Sequence, residues 1–313
     1  MRKIIIDIKD FFKENFNVYA YLFTVLFLAS ALYLNYKFNF EKSFINGFYG
    51  KPVSFAVYFL YYSLPYLLTL IVILYIKQKQ YLIKNREFWV KFFVFFGIFS
   101  FTSAFWGYRY IMDFSDLSYS DKRYFYKLYS NLKRIIPFIL VFYAVKRHYD
   151  KDMPDLYGLR LKGVNLKPFI VMLLLMIPLI VIASFQPAFK ISYPQYKFYY
   201  YDGASGMSPL SSELLFELAY GLDFAAVELM YRGALIIGMI NVLGKETVLP
   251  ATASYVVLHF GKPAGEAISS FFGGLFLGIY ASAERNITGG IFIHTGIAYL
   301  MEIAAILQHY YGN

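Results

Sequence analysis

Along most of this chain, apolar residues run on for several helical turns before a polar residue interrupts them. A bilayer core needs about 20 consecutive apolar residues per helix. Runs that approach or reach this length occur at 18–36, 53–76, 88–106, 135–145, 169–185, 210–243, 248–260, 268–283 and 291–307. Several are bounded by basic residues: Lys37, Lys51, Lys77, Lys79 and Arg86 stand at run ends. The run at 135–145 is short and is expected to extend backward from Lys133. The pattern therefore predicts an all-α, multispan transmembrane helix bundle of eight or nine spans. Between the spans, the stretch 190–208 is wet and aromatic, with Tyr199-Tyr200-Tyr201-Asp202-Gly203 at its centre. It reads as an interfacial loop with tyrosines at headgroup level. Residues 107–134 read as a basic loop. Met1 to Asn17 is polar and basic with amphipathic traces at Ile4, Ile5, Ile8, Phe11 and Phe12, and no removable signal peptide is expected there.

The polar residues inside the runs are unevenly distributed. The first five runs carry almost no mid-membrane charge, and the last four carry nearly all of it. We expect a transmembrane scaffold half, 1–153, and a core with a polar intramembrane cavity, 154–313. An ionisable residue within a span is costly unless paired or wet, so each is a candidate for function. Glu228 and Arg232 are four residues apart and share one helix face. A structural ion pair is the plain alternative for these two. Of the four histidines, His148 and His309 lie near basic or terminal sequence, whereas His259 and His294 lie in the late apolar runs. A lone intramembrane histidine usually bridges helices; two beside a buried glutamate suit general-base activation of water, or a three-ligand metal site. There is no His-Glu-x-x-His motif, which excludes an ordinary zincin.

Composition narrows the classes. The chain has 313 residues, 59% of them hydrophobic, 22% aromatic and only 16% charged, with a mean hydropathy of +0.48. A soluble fold could not hide that much apolar surface. The net charge of +10 fits anionic headgroups at the run ends better than nucleic acid, so no nucleic-acid partner is expected. The absence of cysteine excludes disulfides, thiolate metal sites and a cysteine nucleophile. No internal repeat is visible, which counts against repeat-built transporters.

Taken together, the order of these residues resembles the CPBP family of intramembrane proteins, which includes endopeptidases that trim prenylated CAAX proteins and the bacterial Abi immunity-type proteins. That family carries a Glu-Glu-x-x-x-Arg helix, then Phe-x-x-x-His, then His-x-x-x-Asn. Here Glu228 and Arg232 match the second Glu and the Arg, Tyr255 to His259 matches the second motif with Tyr for Phe, and His294 matches the third. Tyr157-Gly158-Leu159, before a basic stretch and a span, is similar to the family's approach to its core. Two positions depart: Val227 stands where the family has its first Glu, and Ala298 where it has the Asn. Asp223, Glu266 and Glu302 are candidate stand-ins, each with a bland helix-end or interhelical alternative.

The resemblance implies a metal-free and cofactor-free endopeptidase in a bacterial plasma membrane, acting on a membrane-associated peptide. Water would be activated by His259 with Glu228 or Asp223; Arg232 would hold Glu228, and His294 would stabilise the oxyanion. The alternatives are a catalytically silent scaffold or immunity-type protein binding a peptide or lipid, and a small-solute transporter. The oligomeric state is not fixed by the sequence.

Overall fold

The computed structural model describes residues 2–113, 115–161, 163–197, 199 and 203–312. Tyr200, Tyr201 and Asp202 of the expected aromatic loop lie outside them. Among the described residues there are helices and turns but no strand, only an isolated bridge between Leu156 and Leu159. In chain order the α-helices are α1 (Arg2–Asn15), α2 (Val18–Phe38), α3 (Ser54–Ile76), α4 (Arg86–Ala104), α5 (Tyr108–Asp113), α6 (Tyr119–Leu132), α7 (Ile135–Tyr149), α8 (Lys167–Ser184), α9 (Pro187–Ser192), α10 (Pro209–Glu228), α11 (Ile240–Leu243), α12 (Val248–Leu258), α13 (Ala264–Glu284) and α14 (Thr288–Tyr311). A wider π-helical stretch, Leu229–Ile237, follows α10 directly.

Eight helical segments among the described residues are long and apolar enough to cross a membrane, which marks the chain as an integral membrane protein. One of them, Pro209–Leu258, is 50 residues long. At about 1.5 Å per residue a straight helix of that length would far exceed a hydrocarbon core of about 30 Å. It contains the run expected at 210–243 and all but the last two residues of the run expected at 248–260, interrupted by 3₁₀ turns at Gly244–Thr247. The helices begin where local chemistry lets them. Asn17 caps α2 by accepting from the backbone N–H groups of Tyr19 and Ala20, each at 3.1 Å, and Asn85 caps α4 from Glu87 at 2.8 Å. The stretch 107–134, read as a loop, is instead mostly helical. Ser118 caps α6 by accepting from the Asp121 N–H at 3.1 Å, and Tyr124 and Leu128 form its buried face.

The chain divides into two compact units that interleave along the sequence: unit 1, Met1–Phe105, Pro137–Lys162 and Glu228–Thr288, and unit 2, Trp106–Ile136, Gly163–Val227 and Gly289–Asn313. The boundary expected after residue 153 falls inside the second segment of unit 1.

Unit 1 is organised around α12, which is buried from Val248 to Val257 and packs on α3 and α13. Beside it stands an aromatic core. Phe95 meets Phe142 edge-on at 5.1 Å, Tyr66 meets Phe96 at 5.5 Å, and Phe99 meets Tyr231 of the π-helical stretch at 5.9 Å. Small residues permit the closest approaches: a side chain at Gly278 would meet Ile236 and Val248, each at 3.1 Å.

Unit 2 has a separate core built on Tyr124, Leu128, Tyr196, Phe216, Ala219, Tyr220 and Ala298. In it, α14 lies close to α8, because a side chain at Gly296 would stand 2.8 Å from Leu173.

Candidate functional site

The acidic end of the first motif sits where α10 gives way to the π-helical stretch. Glu228 is fully buried and Arg232 nearly so. Their ion pair closes at 2.9 Å, the contact that the i, i+4 spacing allows. The widened turns are explicit in the backbone, where the Gly238 N–H donates to the Gly233 carbonyl five residues back at 2.8 Å. Gly233 sits at a crowded position, where a side chain would stand 3.2 Å from the Tyr157 carbonyl oxygen.

Arg232 also joins the first motif to the second. Its guanidinium lies over the Tyr255 ring at 4.1 Å, a cation–π contact strengthened by desolvation. Tyr255 meets Tyr231 edge-on at 5.2 Å and the His259 ring at 4.5 Å. His259 ends α12 and is half-buried. Its Nδ1 lies 2.9 Å from the Tyr255 carbonyl oxygen. A carbonyl only accepts, so Nδ1 is the donor in this bond.

The turn that follows is held from outside. The final carbonyls of a helix lack partners of their own. Here Tyr61 donates to the Val257 carbonyl at 3.1 Å, Asn35 to that of Phe260 at 2.9 Å, and Tyr36 to that of Lys262 at 2.7 Å. Three side chains from α2 and α3 thus fix the chain immediately around His259.

The remaining candidates, except Glu266 of unit 1, belong to unit 2. His294, on α14, is half-buried and packs against Phe224 with ring centres 4.5 Å apart. Asp223 is bound to Arg134 by two contacts from Nη1, at 3.1 and 3.3 Å. Val227 and Ala298, standing where the resembled family has Glu and Asn, are both buried, and Ala298 is part of the aromatic core of the unit. Glu302 accepts the Gln195 N–H at 2.8 and 3.2 Å, a loop-fixing role. Glu266 stands in the first turn of α13. Among the described residues, no group of three or more acidic or histidine side chains is placed to hold a metal.

Sequence reading missed a second buried charge centre in unit 1. Lys91, in α4, is completely buried, although the first five runs were expected to be nearly free of such charge. It bonds Asp150 at 2.8 Å, Glu87 at 2.7 Å and the Gly238 carbonyl at 2.8 Å. Asp150 also accepts from Tyr157 at 2.9 Å. Burial and the Asp150 carboxylate push the Tyr157 phenol well above its usual range, so it remains a donor. The clue in the sequence was one lysine one turn inside an aromatic run, with no partner nearby except Glu87. Beside this network lies a cavity of about 290 Å³ lined by Asp150, Asp152, Asp155, Arg160, Asn241 and Arg285, among others, and by none of the five candidate residues.

The chain matches no family model, no curated protein and no solved structure.

Proposed function

We propose that this protein is a CPBP-type intramembrane endopeptidase of a bacterial plasma membrane, hydrolysing a membrane-associated peptide without a metal. The observation that supports this reading most is the linked set Glu228–Arg232–Tyr255–His259. A fully buried carboxylate is paired at 2.9 Å, its partner arginine is stacked on Tyr255, and the same tyrosine's carbonyl orients the His259 ring. An ion pair kept only for packing would not require a histidine held in orientation beside it.

In the proposed reaction, Nε2 of His259 takes a proton from water, and the oxygen attacks the carbonyl carbon of the scissile amide. His294 donates to the oxyanion that forms. The C–N bond then breaks, the proton held by His259 passes to the leaving amine, and the products are a carboxylate and an amine. Arg232 offsets the charge of Glu228 and, lying over Tyr255, ties that pair to the ring on which His259 packs. Asp223 is already committed to Arg134, so Glu228 is the carboxylate we assign first. Removing one oxyanion donor in a protease raises the barrier by about 2.7–4 kcal/mol, which leaves room for a slow enzyme with Ala298 in place of Asn.

The burial of Val227 and Ala298 in apolar surroundings favours a second reading, a catalytically silent relative that binds a peptide or lipid. One experiment separates the two: cleavage of a membrane-peptide library by the purified chain in liposomes. The peptidase reading expects cleavage that falls at least tenfold in His259→Ala and in His294→Ala, and falls when Glu228→Gln and Asp223→Asn are combined. Wild type no better than His259→Ala would give the silent reading its place. Full activity in the combined carboxylate variant would refute the carboxylate assignment.

A further inference from the structure

The first two turns of α10 carry a pair of acidic residues that the proposed peptidase does not use. Glu213 and Glu217 are four residues apart and so share a helix face within unit 2. The other face of these turns is apolar and exposed, with Leu214 at 61% and Leu218 at 59%, whereas Glu213 is only 6% exposed. Neither carboxylate oxygen of Glu213, and neither of Glu217, has a hydrogen-bond partner among the described residues. Buried polar side chains are almost always satisfied, and buried charges are almost always paired.

The ionisable groups packed around the pair are engaged elsewhere. From α6, Tyr124 donates to the Ser212 carbonyl at 2.8 Å, and Lys127 donates to the Gln195 carbonyl. From α14, Tyr299 donates to the backbone carbonyl of Glu217 at 2.9 Å and not to its carboxylate, while Glu302 accepts from Gln195. From the segment before α10, Tyr196 packs on Phe216 with ring centres 5.4 Å apart. Lys127 is the base within electrostatic reach of Glu213, and it does not form an ion pair with it. It offsets at most one of two negative charges. One further unit of positive charge balances the pair.

We propose that Glu213 and Glu217 form a binding site for a single monovalent cation, either a proton or a sodium ion, held between the two carboxylates. A divalent ion is disfavoured because, with Lys127 in reach of Glu213, it would leave the pair with an excess of positive charge, and no third acidic or histidine side chain joins the pair among the described residues. The site is independent of the peptidase reading and stands whether or not the chain cleaves anything.

The test uses the full chain, purified in detergent, as wild type and as the double variant Glu213→Gln, Glu217→Gln. Thermal unfolding is followed with sodium exchanged for choline at constant ionic strength, and separately between about pH 5 and pH 9. The expected result is a Tm that responds to sodium or to pH in wild type, with that response lost in the double variant. A sodium response identifies the alkali ion as occupant; a pH response without one identifies the proton. The same sodium and pH responses in wild type and variant would overturn the proposal. Should the double variant not fold, labelling of wild type with a hydrophobic carbodiimide, which attacks protonated carboxyl groups, gives an independent readout. Labelling of Glu213 or Glu217 that falls with rising pH or with sodium supports the site. Labelling absent at every pH, or insensitive to both, overturns it.

Discussion

The two units handle buried charge in opposite ways. In unit 1, Lys91 lies among Glu87, Asp150 and the Gly238 carbonyl, and Arg232 lies between Glu228 and the Tyr255 ring. In each set the chain supplies an opposite charge beside the buried one, although Arg232 Nη2 has no hydrogen-bond partner among the described residues. In unit 2, the carboxylate oxygens of Glu213 and Glu217 are buried with no hydrogen-bond partner among the described residues, although Lys127 is within reach of Glu213. The difference teaches how to separate architecture from binding in a membrane protein. A buried charge with an opposite charge of the chain beside it holds helices together. A buried charge whose neighbours are engaged elsewhere is arranged for something that arrives from outside.

Breaking the unit 1 sets should produce the largest effects. Lys91→Met leaves Asp150 and Glu87 without their shared cation, and we expect a loss of about 3–5 kcal/mol, read as a large fall in Tm or in folded yield. Arg232→Met should cost about as much or slightly less, because only one carboxylate, Glu228, is left uncompensated. Lys37→Met, at an exposed position, serves as the control for both and should be near neutral. Equal Tm values for Arg232→Met and Lys37→Met would remove the distinction drawn between the units. The unit 2 pair should behave the other way. Glu217→Gln removes a charge that has no hydrogen-bond partner among the described residues, so Tm should hold or rise under cation-free, alkaline conditions, where a loss would contradict the contrast.

The smallest expected effect tests the same logic at the surface of unit 1. Burial, then the Glu284 carboxylate, push the Asp7 carboxyl up from its ordinary range. A carboxyl raised in the folded state contributes stability below its unfolded pKa of about 3.9, and that contribution is lost as pH rises through the folded value. At neutral pH it has been lost, so Asp7→Asn should raise Tm slightly at pH 7 and leave it unchanged near pH 3. A fall at pH 7 would show that the attraction of Lys3, which pairs with Glu284 at 2.7 Å, outweighs both.

Much of this organisation was legible in the sequence. Uninterrupted apolar runs are a direct consequence of a hydrocarbon solvent, so α2, α3, α4, α8, α13 and α14 fall where expected, within a few residues. The Glu228–Arg232 contact followed from helical spacing alone. What escaped reading was of two kinds. α6 is rich in tyrosine and charge, with buried positions only at Tyr124 and Leu128, so its apolar face is too thin to stand out from a loop. The Lys91–Asp150 pair spans 59 residues, and no local pattern announces a partner so distant. The two acids of α10 were visible as residues, but their lack of hydrogen-bond partners among the described residues is a property of three-dimensional packing that spacing cannot reveal.

The π-helical stretch at Leu229–Ile237 has a bearing on how any relative of this chain should be aligned. A π turn accommodates one residue more than the α turn it replaces, and in an α-helix each residue advances the azimuth by about 100°. A helical wheel drawn with α periodicity through the whole segment would therefore rotate everything beyond Arg232 by about that angle and assign core residues to the lipid face. A homologue lacking a single residue in this stretch could present the same faces with an unbroken α-helix. A gap of one position at Leu229–Ile237 in such a pair would then mark a change of helical pitch at conserved architecture, and placing it elsewhere would scramble the correspondence of the Glu–Arg motif with Tyr255 and His259.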